Sequence, residues 1–116
     1  MKLSLGITIA GMIALFVFTQ SIKPVPMKIS EINQDYVGRT VVVTGYAKSM
    51  SVNNGNVFIT FEDNESSIKL VMFEKEALKN KDAYNISRLD TLIAEGEVSI
   101  YKGEIEIIAR KIRKEE

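Results

Sequence analysis

The sequence predicts an all-β chain with a small α component: a five-stranded Greek-key barrel, one short helix between strands 3 and 4, and an N-terminal hydrophobic helix ahead of it. Three observations carry this. Five runs rich in β-branched and aromatic residues alternate apolar and polar side chains at strand period, between Arg39 and Phe73 and again between Thr91 and Ile112. Turn-forming clusters, led by Asn53-Asn54-Gly55-Asn56, separate them. One stretch rich in Glu, Lys and Ala, Glu74 to Ala83, breaks the series with helix formers.

The chain opens with different material. Met1-Lys2 precedes an uncharged run from Leu3 to Ile22, 20 residues, about 30 Å as a helix and so about one hydrocarbon thickness. Residues 1–22 read as a transmembrane anchor or a cleaved signal segment. The length of the run and the poor cleavage pattern at Thr19-Gln20-Ser21 favour the anchor. Gly6, Ala10 and Ala14 share one helix face, a spacing that lets membrane helices approach closely and that a plain apolar span also shows. A signal-like start that stays in the cytoplasm places the barrel outside, on a single-pass membrane protein, or in a secreted one if the segment is removed. Residues 23–28 hold Pro24 and Pro26 and read as an extended linker.

Residues 29–112 form the barrel domain. Ser30 to Gly38 is a lead-in turn or helix, capped by Ser30 and ended by Gly38, with Ile29, Ile32 and Val37 closing one end of the barrel. The first strand runs from Arg39 to Ser49 with Val41, Val43, Gly45 and Ala47 on one face. Gly45 marks the coil or bulge by which one strand serves two sides of a small barrel. Val57 to Glu62 and Ser67 to Phe73 are the second and third strands. Glu74 to Ala83, with Ala77 and Leu78 apolar, is the helix that plugs the other end. The fourth strand is Thr91 to Ile100, with Leu92, Ala94, Gly96 and Val98 on one face. Tyr101-Lys102-Gly103 turns into the fifth, Glu104 to Ile112, with Ile105, Ile107 and Ala109 inward. Residues 113–116 are a charged tail.

Composition narrows the function. Acids and bases balance at 15 each, and from Lys23 onward 14 bases face 15 acids, a formal charge of −1. A non-specific polyanion binder shows a basic excess, so nucleic-acid binding here has to rest on a local patch. With neither Cys nor His, most nucleophile–base pairs, zinc sites, haem ligation and disulfides are excluded. No enzyme and no cofactor are expected. Glu95, Glu97, Glu104 and Glu106 alternate with apolar residues and read as a solvated outer face. Asp63-Asn64-Glu65 reads as a turn, and Asn85-Ile86-Ser87 matches the three-residue N-glycosylation pattern.

Three blocks resemble the OB-fold nucleic-acid-binding domains related to the anticodon-binding domain of aminoacyl-tRNA synthetases. Gly38-Arg39-Thr40-Val41-Val42-Val43-Thr44-Gly45 resembles the family's opening strand. Phe58-Ile59-Thr60-Phe61-Glu62-Asp63 with Ile68-Lys69-Leu70-Val71-Met72-Phe73 resembles its second and third strands. Leu92 to Gly96, then Tyr101-Lys102-Gly103-Glu104-Ile105-Glu106-Ile107, resembles its last hairpin. Members hold single strands on the outer faces of the second and third strands and on the flanking loops. Carried over position by position, that implicates Tyr46, Lys48, Phe58, Thr60, Lys69, Val71, Phe73, Tyr101, Lys102 and Arg110. The aromatic rings would stack bases and the cations would meet phosphates. The same aromatic residues could instead be core or end-covering groups, and the lysines solvated strand positions. The resemblance thus implies a membrane-anchored, non-catalytic module for single-stranded DNA or RNA. The alternative is an exported OB-fold domain that binds a protein, a glycan or a cell-envelope partner.

Overall fold

One long strand has to serve two sheets, and the rest of the barrel is arranged around it. The computed structural model describes residues 24–115. The uncharged run 3–22, expected to be an apolar helix, lies outside the described residues, together with the small-residue face at Gly6, Ala10 and Ala14. No helix among the described residues is long and apolar enough to cross a membrane.

In chain order the elements are β1 (Val25–Pro26), two 3-10 turns (Ile29–Glu31 and Gln34–Tyr36), β2 (Thr40–Asn53), β3 (Asn56–Glu62), β4 (Ser67–Met72), α1 (Glu74–Ala77), β5 (Thr91–Tyr101) and β6 (Glu104–Lys114). The sheet order is β1-β2-β3-β4-β6-β5, and β2 also pairs with β5, which closes strands β2 to β6 into the expected five-stranded barrel. β2 pairs antiparallel with β5 from Thr40 to Tyr46 and with β3 from Tyr46 to Asn53. The handover falls one residue after Gly45. A side chain at Gly45 would drive a Cβ into the Glu62 carbonyl and 3.1 Å from the Phe61 ring. The bulge itself sits further on, where the register slips between Ala47 and Ser49 and leaves Lys48 unpaired.

Alternation fills the interior as the sequence indicates. Val41, Val43, Ala47, Val57, Phe61, Leu70, Met72, Leu92 and Ile107 are buried. The closing pair is parallel, Lys69–Glu106, Leu70–Ile107 and Val71–Ile108 between β4 and β6. A second slip, between Glu95 and Gly96, leaves Arg110 as the extra residue of β6 and shifts the inward phase from Ala109 to Ile112. Both two-residue hairpin turns use left-handed backbone: Asn54 (φ 55) and Gly55 (φ 83) between β2 and β3, Lys102 (φ 52) and Gly103 (φ 81) between β5 and β6.

Several boundaries differ from the sequence reading. β2 extends to Asn53, because its second half needs only β3 as a partner. The lead-in is two 3-10 turns. Ser30 is not its cap: the Lys28 amide donates to Glu31 Oε1 (2.9 Å), and Asn33 Oδ1 accepts from the Asp35 amide (2.9 Å). Gly38 does end it, at φ 90 with its amide on the Val98 carbonyl. Ile29 and Ile32 are buried, but Val37 is 43% exposed and closes nothing. The helix stops at Ala77. Beyond it Asn80 Oδ1 accepts from the Asp82 amide, one of the local side-chain bonds that compete with helix. Leu78 is therefore exposed, and Ala83 and Ile86 are buried in the plug beside Ala77. β6 runs on to Lys114, into the expected tail, where the Lys114 amide donates to Asp82 Oδ2 (3.1 Å).

Two glycines separate steric from conformational demands. At Gly96 a Cβ would strike the Ile108 carbonyl and lie 2.7 Å from Ala109 Cα, whereas Gly103 has open space but φ 81. Urea denaturation of residues 24–116 should show Gly96→Ala losing about 3 kcal/mol or more as overpacked backbone is forced apart, and Gly103→Ala losing only about 1–2 kcal/mol.

Candidate nucleic-acid interface

The outer face of the β3–β4 ladder is built by strand register. Ser51 pairs with Phe58 and Phe58 with Val71; Ser49 pairs with Thr60 and Thr60 with Lys69. Lys69 then pairs with Glu106, and Glu106 with Ser99. Paired residues share a face, so one continuous surface runs from β2 across β3 and β4 to β6. Tyr101, at the end of β5, stands at its side. Together Ser49, Ser51, Phe58, Thr60, Lys69, Val71, Glu106 and Tyr101 line a groove of about 400 Å³. A larger hollow of about 520 Å³ lies between Met27, Val42, Thr44 and the Asp63–Glu65 turn, and no aromatic residue lines it.

Phe58, Thr60, Lys69, Val71 and Tyr101 of the expected set thus meet in one groove. Phe58 (38% exposed) and Tyr101 (60% exposed) present ring surface to solvent. Val71 is buried, because β6 lies alongside it and Phe58 is its cross-strand partner. The rest sit elsewhere. Phe73 caps α1 one residue past β4, half exposed and outside the groove lining. Tyr46 donates its hydroxyl to Glu62 Oε1 (3.2 Å), which holds the phenol proton and raises its pKa. Arg110 is at the β6 bulge.

The expected cations are mostly spoken for. Lys48 Nζ lies 3.5 Å from Glu62, Lys69 Nζ 3.5 Å from Glu104, and Arg110 Nη2 2.8 Å from Glu97. Lys102 has no ion pair among the described residues and rests 5.4 Å above the Tyr101 ring. Each exposed pair contributes little to stability, yet it sets a local acid against each cation.

Glu106 departs most from the sequence reading. It is 9% exposed rather than solvated, and its side chain accepts no hydrogen bond from the described residues. Burial pushes its pKa up, opposed by the charge of Lys69. The missing signal is the parallel β4–β6 pairing: strand period marks Glu106 as outward but not as mid-sheet. Asp63, by contrast, is the expected turn, its carboxylate accepting from the Glu65 and Ser66 amides, which lowers its pKa. Among the described residues no group of three or more acidic side chains is arranged to hold a metal ion.

A raised carboxylate pKa means the folded state binds this proton more tightly than the unfolded chain does. Its penalty is absent at low pH and grows as pH rises through the folded pKa. Glu106→Gln should therefore stabilise the barrel at pH 7–8 in thermal unfolding, with the gain vanishing as pH falls to the ordinary carboxylate range near 4. A gain independent of pH would mean the charge is not what burial opposes.

Comparison with known proteins agrees with this architecture. A family model described as OB-fold nucleic acid binding domain, of the tRNA anticodon type, matches residues 41–115. No curated protein matches the chain. Among solved structures, an OBody bound to hen egg-white lysozyme is 22% identical with a TM-score of 0.68, over 83% of this chain and 98% of that one. A chain of the S. pombe Stn1–Ten1 complex is 20% identical with a TM-score of 0.69, over 80% and 79%. Asparaginyl-tRNA synthetase from Pyrococcus horikoshii is 17% identical with a TM-score of 0.68, over 81% of this chain but only 23% of its own length.

Proposed function

The chain belongs to the family of OB-fold nucleic acid binding domains, and from that premise we propose that it is a membrane-anchored, non-catalytic module that holds single-stranded DNA or RNA in the Phe58–Tyr101 groove. The observation that carries the reading is the meeting of Phe58 and Tyr101 with Lys69 and Thr60 in one groove. Phe58 and its cross-strand partner Val71 supply the apolar part of the lining, and Thr60 with its partner Lys69 the polar part. Each stacked base is worth about 1–3 kcal/mol by alanine substitution. Phosphates meet Lys102, while Lys69, Lys48 and Arg110 serve only if a strand displaces Glu104, Glu62 and Glu97. The anchor is the uncharged run 3–22, and the barrel lies outside the cell membrane.

Binding on this surface is dominated by stacking, because three of its cations already have acids beside them. That same neutralisation, with the formal charge of −1 from Lys23 onward, favours the second reading, a protein, glycan or envelope partner on the same face. Fluorescence anisotropy of single-stranded 20-mers with residues 24–116 separates the two. The nucleic-acid reading expects binding at low salt that Phe58→Ala weakens by about 1–3 kcal/mol without unfolding the barrel. No binding at low salt would remove that reading and leave the second.

Salt and pH give two further expectations. Replacing Glu62, Glu97 and Glu104 by Gln should steepen the dependence of log K on log salt by roughly 0.7 for each cation released to a phosphate. Affinity should rise as pH falls through the raised pKa of Glu106, since protonation removes a negative charge from the groove floor. Glu106→Gln should abolish that rise.

A further inference from the structure

We propose that the barrel rests one defined end on the lipid headgroup region: the Tyr36–Arg39 turn together with Ile100, which precedes the β5–β6 hairpin and leaves Tyr101 and Lys102 to the groove. The proposal rests on the anchored reading above. The uncharged run ends at Ile22 and β1 begins at Val25, so only Lys23 and Pro24 lie between them in the sequence. β1 then runs parallel to the start of β2, with Val25 opposite Val41. The chain therefore enters the barrel beside Thr40 and Arg39, and that end of the barrel is held near the membrane surface.

The same end carries the hairpin. The Gly38 amide donates to the Val98 carbonyl (2.8 Å) and the Val98 amide to the Arg39 carbonyl (2.9 Å), which fixes the turn against β5 just before Ile100 and Tyr101. Its surface is unlike a solvated face. Val37 and Ile100 are each 43% exposed. Arg39 lies 5.9 Å over the Tyr36 ring. Arg39 has no ion pair among the described residues. Apolar side chains, tyrosines and long cations are the residue types that settle at a membrane–water interface, the rings at headgroup depth and the cations reaching lipid phosphates. Asp35 is the acid within the turn, and Glu104, next to the hairpin, is held by Lys69. Leu78, the most exposed large apolar residue among the described ones, follows α1, which is bonded through the Glu74 amide to Asn56 at the start of β3, opposite the far end of β2.

The chain has no Cys, so Val37→Cys, Ile100→Cys and Leu78→Cys each accept an environment-sensitive fluorophore at one position. Full-length variants are reconstituted with vesicles of phosphatidylcholine and phosphatidylglycerol, some carrying a spin label on the headgroup. Flotation is read first: a chain that does not rise with the vesicles overturns the anchored reading and the docking with it. For a chain that floats, the expected result is a blue shift and spin-label quenching at positions 37 and 100 and neither at 78. Quenching at all three positions alike, or absent at 37 and 100, overturns the docked end while leaving the anchor in place. Circular dichroism of each labelled variant confirms that the barrel is intact.

Discussion

The close approach of Gly45 to the Glu62 carbonyl governs the rest of the molecule. It lets β2 coil tightly enough to leave β5 and take up β3 within a single residue, at Tyr46. A strand with a side chain at that point would have to stand off, and the barrel would open. Closure in turn forces β4 and β6 together in parallel, and that pairing carries Glu106 and Val71 into the sheet. The groove is thus a product of the coil: it lies where the second half of β2 has swung out over β3, away from the strand it left.

Charge is distributed so that most cations around the groove have an acid beside them. The acids that quiet Lys48, Lys69 and Arg110 come from β3, the first residue of β6 and β5. Two of these three cations, Lys48 and Arg110, are bulge residues, set off from the ladder by an extra backbone step. A bulge re-aims a side chain, so these cations sit beside the sheet rather than in line with the residues of the groove. The cationic part of the groove proper is Lys69, with Lys102 at its edge.

Much of the barrel was legible because strand period and turn chemistry are local. Asn54-Gly55 and Lys102-Gly103 fall at hairpin turns, and the inward rows of β2, β3 and β5 follow alternation from Val41, Val57 and Leu92. Gathering Phe58, Thr60, Lys69 and Tyr101 into one groove needed the family resemblance, since no local pattern brings β3 beside the last hairpin. What escaped was non-local or competitive. The exposed Val37 and the early end of α1 reflect local hydrogen bonds winning over apolar or helical preference, at Asn33 and Asn80. The burial of Glu106 reflects a neighbour contributed by a strand more than 30 residues away in the chain, Lys69 on β4.

The divided partnership of β2 also sets an order of assembly. Its second half meets β3 through a two-residue turn, a hairpin that closes within microseconds in isolated peptides. Its first half must wait for β5, which begins at Thr91, and the seam between β4 and β6 joins residues as far apart as Lys69 and Glu106. Pairings of such long sequence separation form slowly because loop closure precedes any reward. On a ribosome, the edge from Thr40 to Tyr46 therefore stays open until Thr91 to Glu97 has been made. That edge, rather than the finished barrel, is where a nascent copy is most exposed to pairing with the wrong strand.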